Sequence, residues 1–387
     1  MGLSRGGIKP VFAAIGEASA LAAAASAALA GEDFLCHRRG AMAFYPLVRP
    51  LAFALDAERA HRLTIALLAH TKPRLPPPAD PALAVRVAGL DFASPVGLAA
   101  GFDKDAEAWR QLLGLGFGFV EVGTLTPRPQ AGNEWPRLFR LVEDRAAINR
   151  MGFNNRGQAE ALARLAGPSP GIVGVNIGAN KENVGGAAAI ADYAAGVRAM
   201  TGVADYLTVN ISSPNTPGLR ALQDAGALDA LLEAVIEARG AGPPVFLKVA
   251  PDLLPTDIEA IARIAIDRRV DALIVANTTV SRPHLRSPQR GEAGGLSGAP
   301  LKPLALARLR DFARATHGAL PLIAAGGIAS GADAFERIRA GASLVQLYTA
   351  MVYEGPRIAR RINRELKLLL ARHGFARLEE AIGAERS

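Results

Sequence analysis

Residues 210–219 read Asn-Ile-Ser-Ser-Pro-Asn-Thr-Pro-Gly-Leu, directly after the apolar run "YLTVN". Two serines, two asparagines and a threonine stand together, with no acidic neighbour and no Gly-x-Ser-x-Gly elbow. Amides donate and accept at once, so several of them can read a planar ring that carries alternating carbonyl and N–H groups. Similar residues recur where other apolar runs end: Lys104 in "AAGFDKD", Thr124 in "EVGT", Asn176 in "VNIGAN", Lys248 in "LKVAPD", and Asn277 and Thr278 in "ANTT". One Asn after a strand is ordinary turn chemistry. Asn-centred endings on three separate runs exceed what turns require. Carboxylates are scarce among these endings and lysines are present, which points to a planar, anionic, amide-like substrate.

Paired glycines point to a second ligand. "AAGGI" (324–328) and "LYTAM" (347–351) follow the last two apolar runs, and "GGLSG" (294–298) forms a further glycine-rich loop. Backbone N–H groups freed of side chains bind phosphate well. A phosphate-bearing redox cofactor such as FMN is one reading, and a sugar phosphate substrate is the other. "GLGFGF" (114–119) precedes its strand instead of following it, so it is read as a turn and not as a nucleotide loop.

These residues need a scaffold. Apolar runs at 95–101, 119–124, 171–178, 205–212, 244–250, 272–279, 321–327 and 344–350 are nearly continuous, as buried parallel strands are. Helical patterns such as "LDALLEAVIEARG" and "DIEAIARIAIDRR" lie between them. Eight such units predict an α/β fold, a (β/α)8 TIM barrel whose site is built at the C-terminal ends of the strands. The barrel is assigned to residues 81–387. Before it, residues 42–80 hold two short helices and the Pro-rich linker "KPRLPPPADP", with Asp56 as the N-cap of the second helix. Residues 1–41 include an alanine-rich stretch, 11–31, interrupted by Glu17. It is about long enough to span a bilayer at roughly 20 residues, although alanine contributes little transfer energy. A membrane anchor, a targeting segment and a surface helix all remain open for it.

The chain has 387 residues, a net charge of +8 and a single cysteine, Cys36. One cysteine excludes an intrachain disulfide and a multi-cysteine iron–sulfur or metal site. No metal is expected. The basic balance suits nucleic acid, anionic lipid or an anionic small molecule. No dense Lys/Arg run with interleaved aromatics argues for nucleic acid, and none is expected as a partner.

At this point the sequence resembles the class 2 dihydroorotate dehydrogenases, which are FMN-dependent, membrane-associated and quinone-reducing. The motifs are "NISSPNTPGL", "AAGFDKD", "EVGTLTPRPQ", "PRLFRL", "INRMGFNN", "ANTT", "GGLSG" and "GASLVQLYTA", in the family's order, within residues 42–385. The resemblance implies oxidation of (S)-dihydroorotate to orotate in de novo pyrimidine biosynthesis. It implies Ser213 as catalytic base, taking a proton from C5 of the substrate while hydride leaves C6, with Thr216 in a proton relay. It implies that Lys104, Asn149, Arg150, Met151, Gly152, Phe153, Asn210, Asn215, Asn277 and Thr278 surround the substrate. FMN would be held by Ala100, Gly101, Phe102, Asp103, Lys104, Thr124, Asn176, Asn210, Lys248, Ala276, Gly298, Gly327, Tyr348 and Thr349. Ala276 departs from the pattern, since many relatives carry Thr there, so only its backbone would serve the flavin.

The class also sets the electron acceptor. Soluble relatives use a cysteine base, whereas this motif carries serine, and the N-terminal helices are a class 2 feature. In that class they form the mouth of a tunnel for ubiquinone or menaquinone at the membrane surface. His61 and Arg140 resemble quinone-end residues. A peripheral enzyme is expected, on the cytoplasmic face of a bacterial inner membrane or on the mitochondrial inner membrane, with no protein partner required. Two other readings compete: a flavin barrel acting on tRNA uracil, which would want a barrel cysteine and an RNA-binding domain, and an inactive binding barrel, which would show broken site residues.

Overall fold

The computed structural model describes residues 45–385. The alanine-rich 11–31 stretch and Cys36 lie outside the described residues. Contacts divide the chain into two units, one ending at Lys72 and the other running from Pro73. The Pro-rich segment groups with the barrel because it is tied there: Lys367 donates to Asp80 at 2.7 Å, and the Leu378 amide donates to the Ala82 carbonyl.

The first unit holds helices α1 (Tyr45–Ala54) and α2 (Ala57–Ala69). Asp56 caps α2 as its position predicts, its carboxylate accepting from the Glu58 and Arg59 amides at 3.1 and 3.0 Å. Leu47 and Leu51, one turn apart on α1, are exposed. Among the described residues, no helix is long and apolar enough to cross a membrane.

The second unit is a closed parallel barrel. Its strands are β3 (Val96–Leu98), β4 (Phe119–Leu125), β7 (Ile172–Ile177), β8 (Tyr206–Asn210), β9 (Val245–Val249), β10 (Ala272–Val275), β12 (Leu322–Ala325) and β13 (Ala342–Leu347). All eight predicted runs are therefore barrel strands. The two quoted helical patterns fold as Ala225–Arg239 and Pro255–Asp267.

Alternation along each strand fills the barrel in layers. At the N-terminal end lie Phe119, Tyr206 and Phe246, the last two stacked with centroids 4.5 Å apart. Phe92, from a hairpin of β1 (Val85–Val87) and β2 (Leu90–Phe92), packs edge-on against Phe119 and closes this end. Two residues further along the same strands the layer turns polar, with Glu121, Thr208 and Lys248 joined by Asn176 of β7 and Gln346 of β13, all buried. One more step reaches Asn210 and Thr124 at the C-terminal mouth.

A small antiparallel sheet sits apart from the barrel strands. It comprises β5 (Leu138–Leu141), β6 (Ala146–Asn149) and β11 (Gly295–Gly298), in the order β11-β6-β5. "GGLSG", expected as a loop, folds as β11 because Asn149–Ala146 offers it a partner edge, with Gly295 opposite Asn149. "GLGFGF" is a turn into β4, as expected: Gly114 caps the short helix Trp109–Leu113, and Gly116 has φ +103°.

Candidate active site

The strand-end polar groups do converge. Asn176 in β7, Asn210 at the end of β8 and Thr124 in β4 form one buried cluster. The Thr124 hydroxyl donates to Asn176 Oδ1 at 2.6 Å, and Asn210 Nδ2 reaches both Thr124 Oγ1 and Asn176 Oδ1 at 3.1 Å. Asn210 Oδ1 accepts from the Ser212 hydroxyl at 2.8 Å, and Ser212 Oγ accepts from Asn277 Nδ2 at 2.9 Å. Ser212 is thus fully committed to holding two asparagines.

Ser213 is placed differently. Its Oγ accepts the Asn215 amide at 3.2 Å, and among the described residues its own proton has no protein acceptor. Asn215 Nδ2 in turn donates to Asn149 Oδ1 at 3.0 Å, which joins the 210–219 loop to β6. Thr216 is buried, and its hydroxyl has no hydrogen-bond partner among the described residues. A buried hydroxyl without a partner costs stability unless something else meets it. Pro214 and Thr278 crowd the backbone of Gly295, so loop, β10 exit and β11 pack together.

Lys248 is 4% exposed, and its Nζ lies 4.0 Å from Glu121 Oε1, its only ionic partner among the described residues. Burial lowers its pKa, and the Glu121 charge acts against that shift. A buried ammonium held this loosely is available to an anionic or electron-rich ligand group at the mouth of the barrel.

Around the rim, Gly298 and Gly327 have φ +93° and +73°. A Cβ on Gly298 would come 2.5 Å from the Arg145 carbonyl oxygen, and one on Gly327 would come 2.5 Å from Lys302 Cα. Glycine is required at both positions by conformation and by space. Beside them Thr349 donates to Ser297 at 2.9 Å, and Phe102 packs edge-on to Tyr348 at 5.5 Å. Gly101 has φ +103° and passes beside the Tyr348 ring, and Ala100 precedes it. Ala276 is buried at the exit of β10.

Several predicted residues have local tasks. Both Asp103 oxygens accept backbone amides, from Glu107 and Ala108 at 2.8 Å, and burial raises the Asp103 pKa from an ordinary 3.8 to about 6. The Arg150 guanidinium lies over the Phe139 ring and pairs with Glu292 at 2.8 Å. Met151, Gly152 and Phe153 follow it, with Gly152 against Asn133 and Phe153 beside Gly178. Lys104 is half-buried in the 100–108 loop. Arg140 lies on β5 opposite Ala147 of β6, and His61 lies in α2.

Other residues that shape the site were not foreseen from the sequence. Glu121 accepts from Asn176, Tyr206, Thr208 and Gln346 in the barrel interior. Arg220 donates to the carbonyls of Ser212 and Thr278 at 3.0 Å each and pairs with Asp252 at 2.9 Å, which staples the 210–219 loop to the exit of β10. Asn133 donates to the Arg150 and Asn215 carbonyls. A charge inside an otherwise apolar strand run, as in "FVEVGT", was the available signal for Glu121.

Barrel, polar mouth and glycine rim together define a (β/α)8-barrel enzyme with its site at the C-terminal ends of the strands. Comparison with known proteins narrows this. The model of the dihydroorotate dehydrogenase family matches residues 82–370. The dihydroorotate dehydrogenase (quinone) of Erythrobacter litoralis is 62% identical over 349 residues, 88% of this chain and 99% of that one. Its counterpart in Novosphingobium aromaticivorans is 61% identical over the same shares. A crystal structure of DHODH from Eimeria tenella in complex with ferulenol superposes with a TM-score of 0.82 at 41% identity, covering 87% of this chain and 99% of that chain. This chain belongs to the dihydroorotate dehydrogenase family, in its quinone-dependent class.

Proposed function

We propose that the protein oxidises (S)-dihydroorotate to orotate and passes the electrons, through bound FMN, to a membrane quinone, as a step of pyrimidine biosynthesis. The observation that carries the chemical reading is Ser213. It is a buried serine beside a cluster of neutral amides, oriented by the Asn215 amide, with its own proton uncommitted among the described residues.

The residues fit FMN. Gly298 and Gly327 let the rim backbone turn through left-handed conformations in close contact with the neighbouring chain segments, where a side chain would not fit, and Lys248 is a buried cation with one loose ionic partner among the described residues. When bound, FMN supplies the hydride acceptor and the electron path to quinone. Asn149, Asn215, Asn210, Asn277 and Thr278 hold the substrate ring, and Lys104 meets its carboxylate. Ser213 Oγ takes the C5 proton and gives its hydroxyl proton onward, and the Thr216 hydroxyl is the relay group. Lys248 meets negative charge as it develops on the electron-accepting side, and preorganised charge of this kind acts mainly on the transition state. Serine is a poor base at neutral pH, so exclusion of water from this buried site and departure of the hydride must assist it.

The helical unit α1–α2 carries the quinone and membrane functions, with His61 as its quinone residue, and in the barrel unit Arg140 is the separate quinone candidate. The exposed Leu47 and Leu51 suit a bilayer surface. The reading is a peripheral enzyme on the cytoplasmic face of a bacterial inner membrane; the relatives' bacterial origin favours the bacterial over the mitochondrial setting. Steady-state assay with dihydroorotate and a short-chain quinone tests the reading. Turnover with quinone is expected, and turnover only with fumarate or NAD would overturn it.

A further inference from the structure

The network beneath the site has a direction. Glu121 is fully buried and as a carboxylate only accepts hydrogen bonds. Its Oε2 receives Tyr206 OH at 3.1 Å, Thr208 Oγ1 at 3.2 Å and Gln346 Nε2 at 2.8 Å. Its Oε1 receives Asn176 Nδ2 at 2.7 Å and faces Lys248 at 4.0 Å. Because Asn176 must point its NH2 at Glu121, its carbonyl oxygen must point outward, where Thr124 and Asn210 donate to it. Asn210 then has its own carbonyl outward, toward the Ser212 hydroxyl, and Ser212 accepts from Asn277. Asn277 Oδ1 finally accepts the Thr278 amide at 2.8 Å. Every amide in the chain turns its N–H side inward and its oxygen outward.

We propose that Glu121 is a positioning residue: it fixes the donor–acceptor direction of the chain Asn176–Asn210–Ser212–Asn277, and so decides which face of each amide the site presents. The proposal rests on the assignment of these amides to substrate and flavin above. It follows from where acceptors are needed. A glutamine at position 121 has one oxygen and one NH2. Three donors converge on the Oε2 position and one on Oε1, so the NH2 settles at Oε1, against Asn176 Nδ2. Asn176 then has to turn over, which sets two donors against each other at Asn210 and passes the conflict outward. The same NH2 also faces the Lys248 ammonium in place of a carboxylate.

The test moves the carboxylate one step along the chain. Wild type, Glu121→Gln and the double variant Glu121→Gln with Asn176→Asp are titrated with orotate at saturating FMN, following flavin absorbance, and with FMN as apo-proteins, following flavin fluorescence. Thermal melts accompany each. In the double variant the carboxylate at position 176 accepts from the carboxamide NH2 at position 121, from Thr124 and from Asn210, so the outer chain regains its direction. Glu121→Gln is expected to weaken orotate at least about tenfold, the scale of a lost charge-assisted hydrogen bond. The double variant is expected to recover most of that loss, even though its FMN affinity stays reduced because Asn176 itself is altered. Recovery of orotate affinity by a second substitution is something a merely structural role for Glu121 would not give. An orotate affinity unchanged in Glu121→Gln overturns the proposal, and so does a double variant no better than the single one, including one that fails to fold. A wild-type protein that binds neither FMN nor orotate overturns the functional assignment itself.

Discussion

Replacing Ser212 and Ser213 separately by alanine should split stability from turnover. Ser212 Oγ sits between Asn210 Oδ1 at 2.8 Å and Asn277 Nδ2 at 2.9 Å, with the residue wholly buried. Its removal leaves Asn277 Nδ2 without that acceptor, while Asn210 Oδ1 keeps only the Ser212 amide at 3.3 Å. An unsatisfied buried polar group costs about 1–3 kcal/mol. Ser213 Oγ loses a single 3.2 Å bond from the Asn215 amide, worth about 0.5–1.5 kcal/mol at most. Chemistry runs the other way: a positioned general base contributes roughly 10²–10⁴-fold. Ser213→Ala should therefore melt close to wild type and bind orotate, yet reduce its flavin at least about 100-fold more slowly. Ser212→Ala should be the less stable protein and lose less than about tenfold in the same rate, since the base remains. Urea melts and anaerobic stopped-flow reduction on both variants decide it. Equal rate losses, or a Ser213→Ala protein that is the less stable of the two, would refute the assignment of roles.

Lys248→Ala should slow flavin reduction by on the order of 10²-fold with orotate affinity nearly kept, whereas Lys104→Ala should raise the orotate dissociation constant; stopped-flow reduction and orotate titration separate the two, and an exchange of these effects would exchange the roles. The Asp103 carboxyl titrates near 6 in the fold against an ordinary 3.8, so its contribution is present below pH 3.8 and is lost as pH rises through about 6. Between those values it lowers wild-type stability as pH rises, by on the order of 1 kcal/mol per pH unit, a fall that Asp103→Asn should remove in denaturant melts taken at about pH 4.5 and about pH 6.5. Deleting residues 1–72 should leave a folded, FMN-binding barrel that dihydroorotate still reduces, while turnover with a long-tailed quinone collapses; full quinone turnover by the truncated protein would contradict the role given to the helical unit.

The barrel was legible because each strand is buried on both faces and so reads as an apolar run, "DYLTVNIS" and "PVFLKVA" being typical. The strand-end asparagines were legible because the fold itself dictates where function lies. The β5-β6-β11 sheet was hidden by composition: "GGLSG" carries no strand propensity and pairs only because β6 offers an edge. The hairpin that closes the barrel floor was equally hidden, since its two strands are three residues each. Glu121 could have been found by following alternate residues inward. Phe119-x-Glu121, Tyr206-x-Thr208-x-Asn210 and Phe246-x-Lys248 place an acid and a base in one interior layer. Arg220 could not, because its task depends on two carbonyls, those of Ser212 and Thr278, that are distant in the chain and meet only in the fold.

The most direct test of the central claim is anaerobic addition of dihydroorotate to the purified protein, followed by quinone, with the visible spectrum recorded throughout. The account predicts a yellow protein whose flavin absorbance bleaches with dihydroorotate and returns with a short-chain quinone, but not with fumarate or NAD. A protein without flavin absorbance when supplied with FMN, or one whose flavin stays oxidised in the presence of dihydroorotate, would contradict it.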